Sequence, residues 1–392
     1  MTAASLPVPG RSAAPIVEYG PGAIDQVPAI VGRMGAQRVL LVCGRTSFEA
    51  SGADRMLPEL EQVAAVRRWS AFRPNTDSAD LAAGVALLQD HRPDLVLGIG
   101  GGSALDMAKL LVGYHDVAPD QVVPAIEAGR PAERRTAHLV LAPTTSGSGA
   151  EATHFAVVYV GEEKHSITGP AMRPDAIVLD PALTLSGSRY QRATSGIDAV
   201  TQAIESLWSV AATDRSRRFA RHALRLLLPA IETFVDGPDD RSARAMAIGS
   251  HLAGRAIDIS KTTAAHALSY GITKRHGLSH GHAVALTLGA FIEAHATAPP
   301  RHLQPAISPE DHARTLAAVL GLFGTSDPTA ARRSFEDLLD RLGLETRLGA
   351  LGIDAGEDLR QLAATVNTER LGNNPVAFDT DGLVRLLTSL RH

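Results

Sequence analysis

Cysteine is almost absent from this chain: Cys43 is the single one in 392 residues. An intrachain disulfide is excluded, and a reducing compartment suits the chain. A strong net charge is missing too. Lys and Arg total 38 against 42 Asp and Glu, leaving −4, so neither nucleic acid nor an anionic membrane is expected as a partner. Long apolar runs are lacking. The stretch from Leu224 to Pro229 is too short to span a bilayer. Met1 to Arg11 lacks the charged start and apolar stretch of a signal peptide. The expectation is a soluble, cytoplasmic protein. The rest of the composition, 45% hydrophobic and 20% charged, is ordinary for a globular enzyme with room for two domains.

The first half alternates short apolar runs with helical stretches. Arg38–Cys43, Leu95–Ile99 and His138–Ala142 read as buried strands, and Ala176–Leu179 as the last strand before Pro181. Ala79 to Gln89 carries helical spacing. Strands alternating with helices predict a parallel, doubly wound sheet. Beyond residue 185 the pattern turns helical. Asp214 to Val235 is amphipathic, with Phe219, Leu224, Leu228 and Ile231 on its apolar face. The fold class expected is an α/β, Rossmann-like dinucleotide-binding domain over 1–185, followed by an all-α domain over 186–392.

Two glycine-rich loops follow strands. Gly98 to Ser103 leaves one strand and opens a helix that carries Asp106 and Lys109. Glycines let a backbone approach a pyrophosphate, and a helix start offers N–H groups and a positive dipole end. Serine stands where a strict G-x-G-x-x-G ends in glycine, so a tight strand-to-helix turn is the plainer alternative. The second loop, Ala142 to Glu151, offers hydroxyls from Thr144, Thr145 and Ser148. Together they make Gly100, Gly101, Gly102, Ser103, Asp106, Thr144, Thr145 and Ser148 candidate cofactor contacts. The first strand runs into Gly44 and Arg45 rather than the carboxylate that would bind a ribose 2′-hydroxyl. Small and basic residues there suit a 2′-phosphate, which favours NADPH over NADH. A solvated surface arginine is the alternative for Arg45.

A second constellation lies downstream. Asp198 and Gln202 are i and i+4 and share one helix face, as do His266 and Tyr270. His280 begins another apolar helix. Asp198, Gln202, His266 and His280 make a mixed N/O donor set suited to Fe(II) or Zn(II). Taken singly, each has a plainer reading. Asp198 could cap a helix with Ser195, Gln202 could be a polar helix residue, and His266 could be a core histidine.

In these motifs the chain resembles the iron-containing, group III metal-dependent alcohol dehydrogenases, relatives of dehydroquinate synthase. The resemblance runs over nearly the whole chain. Its most specific pieces are Gly100–Ser103 with Asp106 and Lys109, Pro143-Thr144-Thr145 with Glu151, Asp180-Pro181, Gly196-x-Asp198-Ala199, and His266 followed by His280-Gly281. It implies a dehydroquinate synthase-like fold, a metal in the cleft between two domains, and NAD(P)H-dependent reduction of a small aldehyde to a primary alcohol. It also leaves a homodimer open. Three departures stand out. The family usually has histidine where Gln202 stands, a second histidine where Tyr270 stands, and aspartate where Gly44 stands.

The run from Ser260 to Tyr270, with His280 to Leu286, is similar to a narrower branch, the phosphonoacetaldehyde reductases. That likeness implies a phosphonate-bearing aldehyde as small-molecule substrate. Lys261, Thr262, Thr263, Ser269, Arg275 and Arg370 become candidates to hold the anion, and Tyr270 and Lys261 candidate catalytic groups. A general alcohol dehydrogenase for uncharged aldehydes, a sugar-phosphate cyclase and a metal-free nucleotide binder are the alternatives.

Overall fold

The computed structural model describes residues 15–353, 356–364, 366 and 368–391. Its contacts divide into two units, 1–187 with 243–254, and 188–242 with 255–392. The first boundary falls beside the anticipated one. The return of Ala243–Gly254 to the first unit was not anticipated and corrects the division at residue 185. That stretch lies inside one uninterrupted helix, Asp240–Ser260, so no break in the sequence marks it.

The first unit is built on a parallel sheet. Eight strands occur in chain order: β1 Ile16–Tyr19, β2 Arg38–Cys43, β3 Ala65–Trp69, β4 Leu95–Gly100, β5 His138–Pro143, β6 Phe155–Val160, β7 Glu163–Thr168 and β8 Ala176–Leu179. Six form a sheet in the order β1-β8-β5-β4-β2-β3, all parallel. β6 and β7 form a separate antiparallel pair. Strands β2, β4 and β5 are apolar and buried almost end to end, as a sheet covered on both faces requires. The pleat sorts their side chains. Leu40, Val42, Val96, Leu139 and Leu141 enter one core. Val39, Leu41, Leu95, Leu97 and Val140 enter the other.

From β2 the chain moves outward to β3, then returns to the other side of β2 as β4. Strand order therefore reverses between β2 and β4, and the crevice beyond their carboxyl ends is where open α/β sheets bind ligands. Both the Gly44 turn and the Gly100 turn leave the sheet there.

The second unit is helical. Arg189–Trp208 starts at a reciprocal capping box between Ser188 and Gln191. Asp198 therefore sits mid-helix, and the reading of it as a cap with Ser195 fails. Every residue from Gly196 to Trp208 is buried, which makes this helix central. Asp214–Asp236 buries Ala220, Leu224, Leu227 and Ile231. Leu228 and Phe219, expected on that face, are only half-buried. Phe219 instead carries the guanidinium groups of Arg215 and Arg255 over its ring. Ala264–His276 and His280–Thr297 follow. Among the described residues, no helix is long and apolar enough to cross a membrane.

Candidate functional site

Three side chains of the second unit converge. One ligand atom each from Asp198, His266 and His280 lies within 4.8 Å of the others. Gly281 allows the approach: a β-carbon there would stand 1.9 Å from the Thr194 carbonyl and 2.8 Å from Asp198 Cβ. Any side chain at 281 would push the His280 helix off the Asp198 helix. Gln202, one turn after Asp198, donates its amide Nε2 to Asp198 Oδ2 at 3.0 Å. Its Oε1 is thereby turned away from that carboxylate.

The imidazoles are held in defined tautomers. Glu205 is fully buried and lies on the helix face that carries Asp198 and Gln202. Its Oε1 accepts from Thr263 Oγ1 at 2.8 Å, Ala265 N at 3.1 Å and His266 N at 3.4 Å. Its Oε2 takes the proton of His266 Nδ1 in a short hydrogen bond, so Nε2 is the atom His266 can offer. His280 is fixed through a hydroxyl. Ser269 Oγ donates to the His266 carbonyl at 2.7 Å. Having spent its one proton, it accepts from His280 Nδ1 at 3.2 Å, which leaves Nε2 as the atom His280 can offer. Burial opposes charge on His266, but Glu205 and Asp198 outweigh it and raise its pKa to about 9, so at neutral pH the ring also holds a proton on Nε2 that a metal would displace. Burial likewise opposes charge on Glu205, yet His266 and the Thr263 hydroxyl hold the carboxyl below its usual range.

This donor set fits a divalent cation. Gln202 Oε1 and His266 Nε2 are buried polar atoms with no hydrogen-bond partner among the described residues, and such atoms are costly unless something ligates them. Carboxylate, amide oxygen and two imidazoles are the donors Fe(II) or Zn(II) takes.

Tyr270 stacks on His280, with ring centroids 6.0 Å apart and planes 23° from parallel. Its pKa is raised, chiefly by burial, with the positive charge of Arg370 pulling the other way. The phenol stays protonated near neutral pH. Arg370 is itself buried and comes from the short Thr368–Gly372 helix.

Two of the expected anion ligands are occupied elsewhere. Thr263 is fully buried, donating to Glu205 and accepting from Trp208 Nε1 at 3.1 Å. Ser269 is fully buried and holds His280. Both hydroxyls are committed to Glu205 and His280 and cannot face a phosphonate as well. Thr262 is buried, and its carbonyl accepts from Asn373 Nδ2 at 2.9 Å. Arg275 is exposed in the last turn of its helix, where a cation complements the helix dipole. Lys261 is half-buried at the end of the preceding helix. Glu205 was missed by sequence reasoning. Its signal was present: Asp198, Gln202 and Glu205 are spaced i, i+4, i+7, one continuous stripe.

In the first unit the two glycine loops meet. Thr144 N donates to Gly100 O at 2.9 Å. A β-carbon at Gly100 would lie 2.7 Å from Ala104 Cβ, and one at Gly102 would lie 2.9 Å from Ser148 Oγ. No side chain caps the helix at Gly101, so its first N–H groups remain for an anion. A bare backbone cradle of this kind fits a pyrophosphate. Ser103 Oγ accepts from Asn75 N at 3.0 Å and keeps its proton to donate. A β-carbon at Gly101 would lie 3.5 Å from the Thr145 side chain, so Thr145 adjoins this turn. Gly44 belongs to the same corner, its N 3.6 Å from where a Gly100 β-carbon would be. Arg45 is exposed beside it. Arg68 Nη2 donates to the Arg45 carbonyl at 3.3 Å and Nη1 to Glu49 at 2.8 Å. Asp106, expected as a cofactor contact, is held by protein groups. Its Oδ2 accepts from Val157 N at 3.1 Å and its Oδ1 faces Lys109 Nζ at 3.5 Å. Lys109 in turn donates to the carbonyls of Ala150 and Phe155, both at 2.6 Å. The pair anchors the β6–β7 hairpin.

The chain is similar to known proteins over most of its length. Residues 14–181 match the family model described as iron-containing alcohol dehydrogenase, and residues 192–390 match that of the Fe-containing alcohol dehydrogenase family, C-terminal. The chain is 35% identical over 372 residues to phosphonoacetaldehyde reductase of Streptomyces viridochromogenes, covering 88% of this chain and 92% of that one. It is 33% identical over 278 residues to long-chain-alcohol dehydrogenase 1 of Geobacillus thermodenitrificans, covering 70% of each. The structure of sulfoacetaldehyde reductase from Bifidobacterium kashiwanohense in complex with NAD+ superposes with a TM-score of 0.84 at 26% identity, covering 96% of both chains. The chain belongs to the iron-containing alcohol dehydrogenase family and is an oxidoreductase of the alcohol dehydrogenase and aldehyde reductase class.

Proposed function

We propose that the protein reduces a small aldehyde bearing a phosphonate, phosphonoacetaldehyde to 2-hydroxyethylphosphonate, at the expense of NADPH. The observation that carries this reading is the buried Arg370 on Tyr270, whose ring stacks on His280. A guanidinium fixed beside a ligand cluster suits a substrate whose head group is an oxyanion that can accept two parallel N–H bonds. Two relatives are named for acetaldehydes carrying a phosphono or a sulfo group, which agrees with an anionic head.

Asp198, Gln202, His266 and His280 would hold the metal, and the pyrophosphate of NADPH would rest on Gly100 to Ser103. When bound, the metal supplies Lewis-acid polarisation of the carbonyl oxygen and the nicotinamide supplies hydride. The protein's residues do the rest. Glu205 and Ser269 keep both imidazoles in the ligating tautomer. Tyr270, protonated at neutral pH, would give its proton to the product alkoxide. Arg370 and Lys261 hold the anionic head and fix the distance of the reacting carbon. Gly44 and Arg45 leave room and charge for a 2′-phosphate. Expected partners are this small molecule and the cofactor, with no nucleic acid or membrane; a homodimer is compatible.

The test is NADPH oxidation by metal-loaded protein with phosphonoacetaldehyde, run beside propanal at equal concentration. A large excess of turnover with the phosphonate is expected. Equal or faster turnover of propanal would leave a general alcohol dehydrogenase and remove the anion-binding role of Arg370.

A further inference from the structure

Lys261 adopts a backbone conformation that a lysine avoids. Its φ is 58° and its ψ 179°, a region populated almost only by glycine because a β-carbon collides there with the backbone. Among the described residues only Asn75 and Arg92 share positive φ without being glycine. Both are half- or fully exposed, whereas Lys261 is half-buried between a helix end and Thr263, the residue that braces Glu205. Such strain persists only where the surroundings enforce it.

The enforcing group is one amide. Asn373 Nδ2 donates to the carbonyls on both sides of Lys261, Ser260 O and Thr262 O, each at 2.9 Å. Its Oδ1 accepts from Ala211 N at 2.9 Å, and its own carbonyl accepts from Val210 N at 2.9 Å. The amide can therefore face only one way, with its two protons toward the strained peptides. Further bonds complete the frame. Lys261 N donates to Ile257 O at 3.0 Å, and Ser209 Oγ donates to Ser260 O at 3.1 Å. Nothing in these bonds uses the lysine side chain. A glycine would satisfy them all without strain, so the backbone alone gives no reason for lysine here.

We propose that Asn373 is a positioning residue that clamps Lys261 so that its ammonium serves as a second anchor for the anionic head of the substrate. This rests on the reading of the function given above. One segment then carries both halves of the anion site: Arg370 lies in the Thr368–Gly372 helix and Asn373 directly follows it. A segment that sets two cations at once controls substrate class separately from the metal ligands, which sit on other helices.

The selective variant is Asn373→Asp. It keeps the acceptor for Ala211 N and replaces the two donors with an oxygen facing two carbonyls. Metal-loaded, full-length protein is compared with Lys261→Gly, Lys261→Ala and the Asn373→Asp/Lys261→Gly double variant. Two quantities are read: the kcat/KM ratio of phosphonoacetaldehyde to propanal, and the calorimetric Kd of 2-hydroxyethylphosphonate. Asn373→Asp should lower the ratio and weaken binding about tenfold, and should add nothing in the Lys261→Gly background. Lys261→Gly should lose the preference yet melt at a higher temperature than Lys261→Ala. Loss of preference in Lys261→Gly with wild-type values in Asn373→Asp would overturn the clamp and leave the function standing. An equal effect of Asn373→Asp with and without Lys261 would overturn it too. A wild-type protein with no preference for the phosphonate would sink the reading of function instead, and Lys261→Gly no more stable than Lys261→Ala would sink the strain. Asn373→Ala, which removes both ends of the amide, is read against the same outcomes if Asn373→Asp does not fold.

Discussion

Glu205→Gln isolates one proton. Three of the four contacts to Glu205 fall on Oε1, from Thr263 Oγ1, Ala265 N and His266 N. A glutamine can keep all three with its amide oxygen. Only Oε2, which faces His266 Nδ1, becomes an N–H donor. Turning the amide over would be worse, since it would set a donor against three donors. The ring must answer by accepting at Nδ1, which moves its proton to Nε2, the atom that faces Asp198 Oδ1 at 3.5 Å. A protonated Nε2 cannot ligate. Loss of an orienting partner costs ten- to a hundredfold in metal affinity, or about 1.4–2.8 kcal/mol; with the tautomer reversed, the upper end is expected. The assay is equilibrium competition for Zn(II) against a chromophoric chelator, which needs no turnover. The melting temperature of the metal-free variant serves as the control for folding. A Glu205→Gln protein that folds and binds Zn(II) within twofold of wild type would refute the tautomer argument.

The sequence was legible where one residue type does one job. Buried strands β2, β4 and β5 read clearly because parallel strands covered on both faces are continuous apolar runs. The edge strand β3 did not, since the exposed Arg67 and Arg68 at its centre separate its two core-facing residues, Val66 and Trp69, and leave no apolar run. Asp198, Gln202, His266 and His280 could be gathered from spacing and motif because ligand chemistry restricts them to few residue types. Glu205 shares the helix stripe of Asp198 and Gln202, but only the convergence of Thr263 and His266 on it distinguishes it from an ordinary helix carboxylate. The hydroxyls failed for the opposite reason. Thr263 and Ser269 lie beside His266 in sequence and looked available for substrate. Which way a hydroxyl turns depends on chain segments far away, here Glu205 and His280. Asn373 is the extreme case, since nothing local marks it as the group that fixes Lys261.

Three further outcomes follow from the same contacts. Gln202→His should raise Zn(II) affinity at least tenfold in the same competition assay, because an imidazole nitrogen is a better donor to this metal than an amide oxygen; unchanged affinity would remove Gln202 from the donor set. Gly44→Asp should shift preference from NADPH toward NADH by about tenfold or more in kcat/KM. Because a β-carbon at 44 would meet Ser47 Oγ at 2.0 Å, it is best made with Ser47→Gly, and retained NADPH preference would count against the 2′-phosphate corner. The last concerns pH and lies away from the metal ligands. His295 is fully buried against Trp208, with ring centroids 4.6 Å apart. Burial first, and His312 beside it second, push its pKa down to about 3. The folded protein keeps His295 neutral while the unfolded chain takes up a proton below its ordinary pKa near 6.5. Its contribution is therefore complete above pH 6.5 and is lost as pH falls toward 3, by up to about one decade in the folding equilibrium per pH unit. Urea unfolding followed by tryptophan fluorescence at pH 7, 6, 5 and 4 would show this slope. His295→Phe, which cannot take up a proton, should flatten that part of the curve even if it lowers stability at pH 7. A variant whose acid limb runs parallel to the wild type's would place the acid sensitivity in other groups.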